Sequence, residues 1–353
     1  MRWGGFTVSA PRGAGGCADA ATGTRWRPEG RHGWNAPSRR RSQFSIARPV
    51  LRGVLAISRK VRSGSVTIDH LVSLDWLAER LNDPDIRIAD LRWYLLEPGR
   101  GRTEYLEAHI PGAVYLDIDT DLSAPPFQGP GRHPIPASEA FAAVASRTGI
   151  GSKTHVIAYD SVGGAYAARL WWLLRYFGHE RVSLLDGGWP AWVAAGLPVE
   201  SGEVTPPPTM FIPHPNRAMV VDADTVDVLR RDPRVLILDA RAAERYQGIA
   251  EPLDPRAGHI PGAVSAPYAD NVDADGRMRS VEELRARYAA LGADRAETIV
   301  CYCGSGVTAA HTILALARAG WKNTLLYEGS WSDWSRDPAR PAATGSEPWG
   351  GEG

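Results

Sequence analysis

Cysteine is scarce in this chain: positions 17, 301 and 303 hold the only three among 353 residues. Three thiols exclude a disulfide framework, and no CxxC or HxxxH spacing supplies the ligands of a zinc site. Lysine is as rare. Lys60, Lys153 and Lys322 stand against an arginine majority among forty basic residues, a bias typical of GC-rich bacterial genes that weakens an organelle-transit reading of the Arg-rich start. "ARPVLRGVLAIS" (47–58) is too short and too interrupted for a secretory core or a membrane span. Net charge is also missing, since 40 basic residues meet 40 acidic ones. The balance is uneven, however. Residues 1–65 hold twelve Arg and one Lys against Asp19 and Glu29, a net +11, so the remainder carries −11. An acidic body argues against nucleic acid as a partner.

What is present first is a repeat. "HIPGAV" stands at 109–114 and again at 259–264; "IADLR" (88–92) pairs with "ILDAR" (237–241), and "LLDGGWPAW" (184–192) with "LYEGSWSDW" (326–334). Three islands in the same order mean a duplicated domain, and the spacing is too long for a solenoid. The expected organisation is a lead at 1–65, a first domain at 66–200, a linker at 201–217, a second domain at 218–345 and a tail at 346–353. The lead is Gly/Pro/Ser/Arg-rich with no apolar periodicity, and reads either as disordered or as a start assigned too early, the true one lying near Val54, Val61 or Val66.

The second half shows the local pattern best. "RVLIL" (234–238), "ETIVCY" (297–302) and "NTLLYEG" (323–329) read as short buried strands. "SVEELRARYAALG" (280–292) reads as a helix with a Ser280/Glu283 capping box and a Gly292 stop, and "VTAAHTILALARAG" (307–320) as a second helix. Strands alternating with helices predict an α/β fold: in each half, a parallel β-sheet with helices on both faces. Ligands in such sheets sit beyond the carboxyl ends of the strands, which directs attention to the loop after "ETIVCY".

That loop is "CGSG". Cys303 ends a strand and precedes a helix, and Gly304 and Gly306 let the backbone curl around the sulfur so that N–H groups and the helix start favour a thiolate. Cys301, two residues earlier, reads as a packing residue of the strand. The first half aligns "VIAYDSVGGAYAARL" (156–170) with "IVCYCGSGVTAAHTI" (299–313), which sets Asp160 where Cys303 stands. A carboxylate cannot replace a nucleophilic thiol, so the first half is expected to be silent, and the HIPGAV turns with His109 and His259 to be structural. A phosphatase loop, C-x5-R, is excluded because the sixth residue after the Cys is Ala309.

The tandem "D-x-R … HIPGA … C-G-S-G-V-T" layout resembles the two-domain rhodanese family of sulfurtransferases over roughly residues 66–345, with "CGSGVT" similar to the loop of its 3-mercaptopyruvate-using members. The resemblance implies tandem rhodanese-like domains, a Cys303 persulfide as intermediate, and a relay of Ser305, His133 and Asp119 across the domain boundary. It implies a donor site made of Gly304, Gly306, Val307 and Thr308 with the guanidinium groups of Arg245 and Arg256. Arg241, repeated as Arg92, reads instead as a structural ion-pair residue. No metal or organic cofactor is implied. The expected partners are a small-molecule sulfur donor and a thiophilic acceptor such as a thiol, cyanide or a thioredoxin-like dithiol, with no nucleic acid and no membrane, in a reducing, cytoplasmic compartment. Two alternatives stand beside this reading: a thiosulfate sulfurtransferase, and a non-catalytic rhodanese-like module that only binds or carries sulfur.

Overall fold

A computed structural model describes residues 68–350; the expectations for residues 1–65, Cys17 included, lie outside it. Two five-stranded sheets make up the described chain. The first holds β1 (Leu71–Val72), β2 (Ile86–Asp90), β3 (Val114–Tyr115), β4 (His155–Tyr159) and β5 (Val182–Leu185). The second holds β6 (Val220–Val221), β7 (Val235–Asp239), β8 (Ala263–Ser265), β9 (Thr298–Tyr302) and β10 (Thr324–Tyr327). Strand order is β1-β5-β4-β2-β3 in one and β6-β10-β9-β7-β8 in the other, so the sequence repeat is a repeat of topology. Every pairing is parallel. The central strand β9 is buried at all five positions, as a strand covered on both faces requires.

The repeated strings build the same scaffold twice. In "D-x-R" the Arg92 guanidinium clamps Asp90 and donates to the carbonyl of Ala108, while Arg241 clamps Asp239 and donates to Gly258. Each arginine also lies over an indole, Trp189 or Trp331, from the third repeated string. In "HIPGAV" each histidine stacks on a tyrosine, His109 on Tyr105 and His259 on Tyr246. Each pairs its backbone with a later segment, through Glu200 and Ala343 respectively. These turns lock sheet edges to the chain that returns past them, and neither lies in the Cys303 loop.

The helices after β4 and β9, Ala167–Tyr176 and Ala309–Arg318, pack against each other and join the halves. Their third residues reach across reciprocally. Arg169 donates to the carbonyl of Gly306 at 3.2 Å, and His311 Nε2 donates to the carbonyl of Gly163 at 3.0 Å. The second helix begins at Ala309, two residues later than its apolar pattern suggests, because Val307 and Thr308 complete the loop. The capping box at Ser280 and Glu283 is formed.

Residues 201–217 are held against the first half: Thr209 N–H donates to Ser146, His214 to Phe177 and Asn216 to Tyr176, and Phe211 is buried against Phe141. Residues 346–350, expected as a tail, fold back onto the second half. The Pro348 carbonyl accepts from Gly262 N–H, and the Trp349 indole covers Gly262 and Arg230. Among the described residues no helix is long and apolar enough to cross a membrane.

Candidate active site

Cys303 sits one residue past β9 and is 2% exposed. Three contacts set its backbone. Its N–H donates to Ser330 Oγ at 3.1 Å, its carbonyl accepts from Trp331 N–H at 2.9 Å, and the next carbonyl, of Gly304, accepts from Ser332 N–H at 2.8 Å. Ser330 adopts a left-handed φ of 53° to do so. Its counterpart in the first half is Gly188, at φ 54°. Cys303 Sγ accepts from Gly306 N–H at 3.1 Å. Gly306 has φ 82°, and a Cβ there would lie 2.5 Å from the Glu328 carbonyl oxygen, so only glycine fits. Cys301 lies within the core, and burial pushes its thiol well up, away from reactivity.

The matching loop of the first half explains what this geometry is for. Asp160 is fully buried, and its carboxylate accepts four backbone N–H bonds, from Val162, Gly164, Tyr166 and Ala167, at 2.7 to 2.9 Å. The loop is an anion cradle, and in the first half the chain fills it with its own carboxylate. In the second half a short thiol occupies that place. Among the described residues the N–H groups of Ser305, Val307 and Thr308 have no acceptor, so the second cradle is open to an anion on or beside the sulfur.

The structure brings Ser305, His133 and Asp119 together from the two halves. With Nε2 protonated, His133 donates to Asp119 Oδ1 at 2.9 Å and accepts from Ser305 Oγ at Nδ1, 2.7 Å. Trp93 Nε1 donates to Asp119 Oδ2 at 2.9 Å and its ring meets His133 edge-on. The hydrogen bond from His133, with that of Trp93, holds the Asp119 carboxyl below its usual range against the opposing effect of burial. Arg169 ties this chain to the loop, donating to the carbonyl of His133 at 2.9 Å as well as to Gly306. Burial pulls the Arg169 guanidinium down to about 10, so it remains charged at neutral pH.

Arg245 lies beside the loop. Its Nε and Nη2 pair with Glu251, and Nη2 also with Asp254, while Nη1 points at Gly304. Val307 packs in the core around Cys303, and Thr308 stands at the helix start. Arg256 turns its guanidinium toward a helix end. Its guanidinium donates to four carbonyls, of Trp334, Ser335, Asp337 and Arg340, and so caps the end of the helix Ser330–Trp334. A cation at the carbonyl end of a helix satisfies orphan acceptors, and this leaves little guanidinium to offer a donor.

Sequence reasoning passed over Arg132, Trp93, Arg169 and Ser330. Arg132 adjoins His133 in "GRHPIP", and Arg169 is a charge inside the apolar run "AYAARLWWLL"; either was a visible signal. Ser330 differs from the aligned Gly188, but its left-handed backbone leaves no mark in the sequence.

A family model for the rhodanese-like domain matches residues 73–195 and again residues 222–337. The chain belongs to the rhodanese family. It is similar to the probable 3-mercaptopyruvate sulfurtransferase of Pseudomonas aeruginosa, 45% identical over 279 residues, 78% of this chain and 98% of that protein. It is 39% identical over 269 residues to the putative thiosulfate sulfurtransferase SseB of Mycobacterium tuberculosis, covering 75% of this chain and 92% of that one. The crystal structure of SseA from Escherichia coli, described as a 3-mercaptopyruvate sulfotransferase, matches 75% of this chain and 100% of its own. The identity is 38% and the TM-score 0.67. Each rhodanese match begins just after the first strand of one sheet and spans its other four strands, and the Cys303 loop lies in the second match.

Proposed function

We infer that the protein is a sulfurtransferase that takes sulfur from 3-mercaptopyruvate. The Cys303 thiolate attacks the donor sulfur. An S–S bond forms as the C–S bond breaks, and the electron pair leaves with carbon as the pyruvate enolate. Cys303 then holds the persulfide, whose outer sulfur faces the free N–H groups of the loop. The enolate takes a proton from Ser305, and Ser305 recovers one from the acidic S–H of the new persulfide, its hydroxyl positioned by the His133 Nδ1 acceptor that Asp119 holds in the required tautomer. A thiophilic acceptor, such as a small thiol, cyanide or a thioredoxin-like dithiol, removes the outer sulfur and frees the thiolate. The thiol chemistry suits a reducing, cytoplasmic setting.

The observation that carries this reading is the Ser305–His133–Asp119 chain, with links of 2.7 and 2.9 Å, closed only when both halves meet beside the Cys303 loop. A proton relay serves a carbon leaving group, whereas sulfite released from thiosulfate departs without a proton. The two residues after Cys303 are neutral, Gly304 and Ser305, which also favours a monoanionic donor over a compact dianion. The names of the Pseudomonas aeruginosa and Escherichia coli relatives support the same donor. Assaying the two donors side by side tests it: kcat/KM for 3-mercaptopyruvate exceeds that for thiosulfate by at least about tenfold, the worth of one charge-assisted contact. Thiosulfate as the better donor replaces this reading with a thiosulfate sulfurtransferase, the name borne by the Mycobacterium tuberculosis relative.

A further inference from the structure

Arg256 is spent on a helix end, yet a second guanidinium does stand at the loop, and it comes from the silent half. Arg132 directly precedes the relay residue His133. Its backbone N–H donates to Ser332 Oγ, and its Nη1 pairs with Asp254, the carboxylate that also pairs with Arg245 Nη2. Asp254 therefore staples together two guanidinium groups from different domains. It is held there by burial, its side chain being 2% exposed. The remaining nitrogens converge. A Cβ placed on Gly304 would lie 3.1 Å from Arg132 Nη2 and 3.3 Å from Arg245 Nη1. Among the described residues neither of these two nitrogens has a hydrogen-bond partner, and Arg132 Nε is buried and unpaired as well. The two converging nitrogens thus stay available to an anionic ligand beside Gly304, and a charge-assisted bond to such a ligand is stronger than one to water.

We propose that Arg132 of the first domain and Arg245 of the second form one cross-domain clamp for the carboxylate of an α-keto thiol donor, with Asp254 as the staple that sets their spacing. The position fits the chemistry. Gly304 is the residue after the nucleophile, and consecutive Cα atoms lie about 3.8 Å apart. A carboxylate three bonds from the transferred sulfur reaches that far; the charge of thiosulfate, one bond away, does not. Gly304 is also the one residue whose lack of a side chain keeps both nitrogens accessible. The clamp gives the silent domain a second task besides the relay, since neither domain alone holds both guanidinium groups.

The inference rests on the donor reading above, and the test separates the two. Arg132→Gln and Arg132→Lys are compared with the wild type on 3-mercaptopyruvate and on 1-mercaptopropan-2-one, the same ketone without its carboxylate. Arg132→Gln raises KM for 3-mercaptopyruvate by about 10- to 100-fold with kcat changed far less, as expected for one charge-assisted contact. Arg132→Lys, which keeps the charge and the Asp254 pairing, recovers part of the loss. Neither variant alters kcat/KM for the carboxylate-free ketone by more than about twofold. Equal losses on both donors, or an unchanged KM for 3-mercaptopyruvate, overturn the clamp. A wild-type protein that does not use 3-mercaptopyruvate overturns the donor reading instead. The clamp then stands or falls on pyruvate binding by calorimetry, which Arg132→Gln weakens by the same factor if it is real and leaves unchanged if it is not.

Discussion

Ser305→Ala removes one oxygen and little else, so its effect separates a proton donor from a structural hydroxyl. Ser305 is 7% exposed, and Oγ lies 2.7 Å from His133 Nδ1, the only side-chain hydrogen bond it makes among the described residues. If the hydroxyl merely anchors the imidazole, its loss costs about 1 kcal/mol, or roughly fivefold, whatever the donor. If it delivers the proton to the pyruvate enolate, kcat for 3-mercaptopyruvate falls by about 10²- to 10⁴-fold, while thiosulfate turnover, whose sulfite needs no proton, falls by less than about fivefold. Members further along the chain matter less. The Asp119 side chain is 50% exposed, so water replaces part of its support, and Asp119→Asn costs about ten times less than Ser305→Ala. Steady-state kinetics on both donors reads all of this. A loss of equal size on the two donors refutes the relay and leaves Ser305 as scaffolding.

Three further outcomes follow from the same geometry. Asp160→Cys yields no persulfide at position 160 in peptide mass spectra and lowers stability by about 3 kcal/mol in urea melts, because four backbone N–H groups, two of them buried, lose one carboxylate; a persulfide there at the rate of Cys303 contradicts the distinction between the loops. His311 is fully buried, and burial lowers it to about 4 although the Gly163 carbonyl and Asp160 oppose this. The unfolded chain therefore binds the proton first, stability is lost as pH falls from about 6.5 to about 4, and His311→Gln flattens that slope by roughly 3 kcal/mol, whereas parallel wild-type and variant slopes refute the assignment. Ser330→Gly relieves a left-handed backbone but removes the partner of the Cys303 N–H, so unfolding free energy changes by no more than about 2 kcal/mol while kcat falls severalfold; unchanged kcat shows that the strain at Ser330 does not serve the thiol.

The features legible in the sequence were those written locally. The repeated strings gave two copies of one topology because each string carries its own partners: Asp and Arg two residues apart, and a histidine beside a turn glycine. The Ser280/Glu283 cap was readable for the same reason, and so was the Cys303 loop between strand and helix. What depends on distant partners was not readable. Ser305 and His133 are 172 residues apart, and only the resemblance to a family joined them. For Arg256 the motif fixes a place in the chain but not where the long side chain turns, and carbonyls at and beyond the end of a helix more than 70 residues onward hold it. Arg132 was missed for the converse reason, since nothing near it in sequence shows that Asp254 draws it toward Arg245.

The central claim is that Cys303 carries the sulfur. Treating the protein with 3-mercaptopyruvate and no acceptor, then mapping the product by peptide mass spectrometry, tests it directly. The account predicts a gain of about 32 Da, one sulfur atom, on Cys303, with one pyruvate released per thiol, both abolished in Cys303→Ser and retained in Cys301→Ser. A persulfide confined to Cys301, or pyruvate release that survives Cys303→Ser, contradicts it.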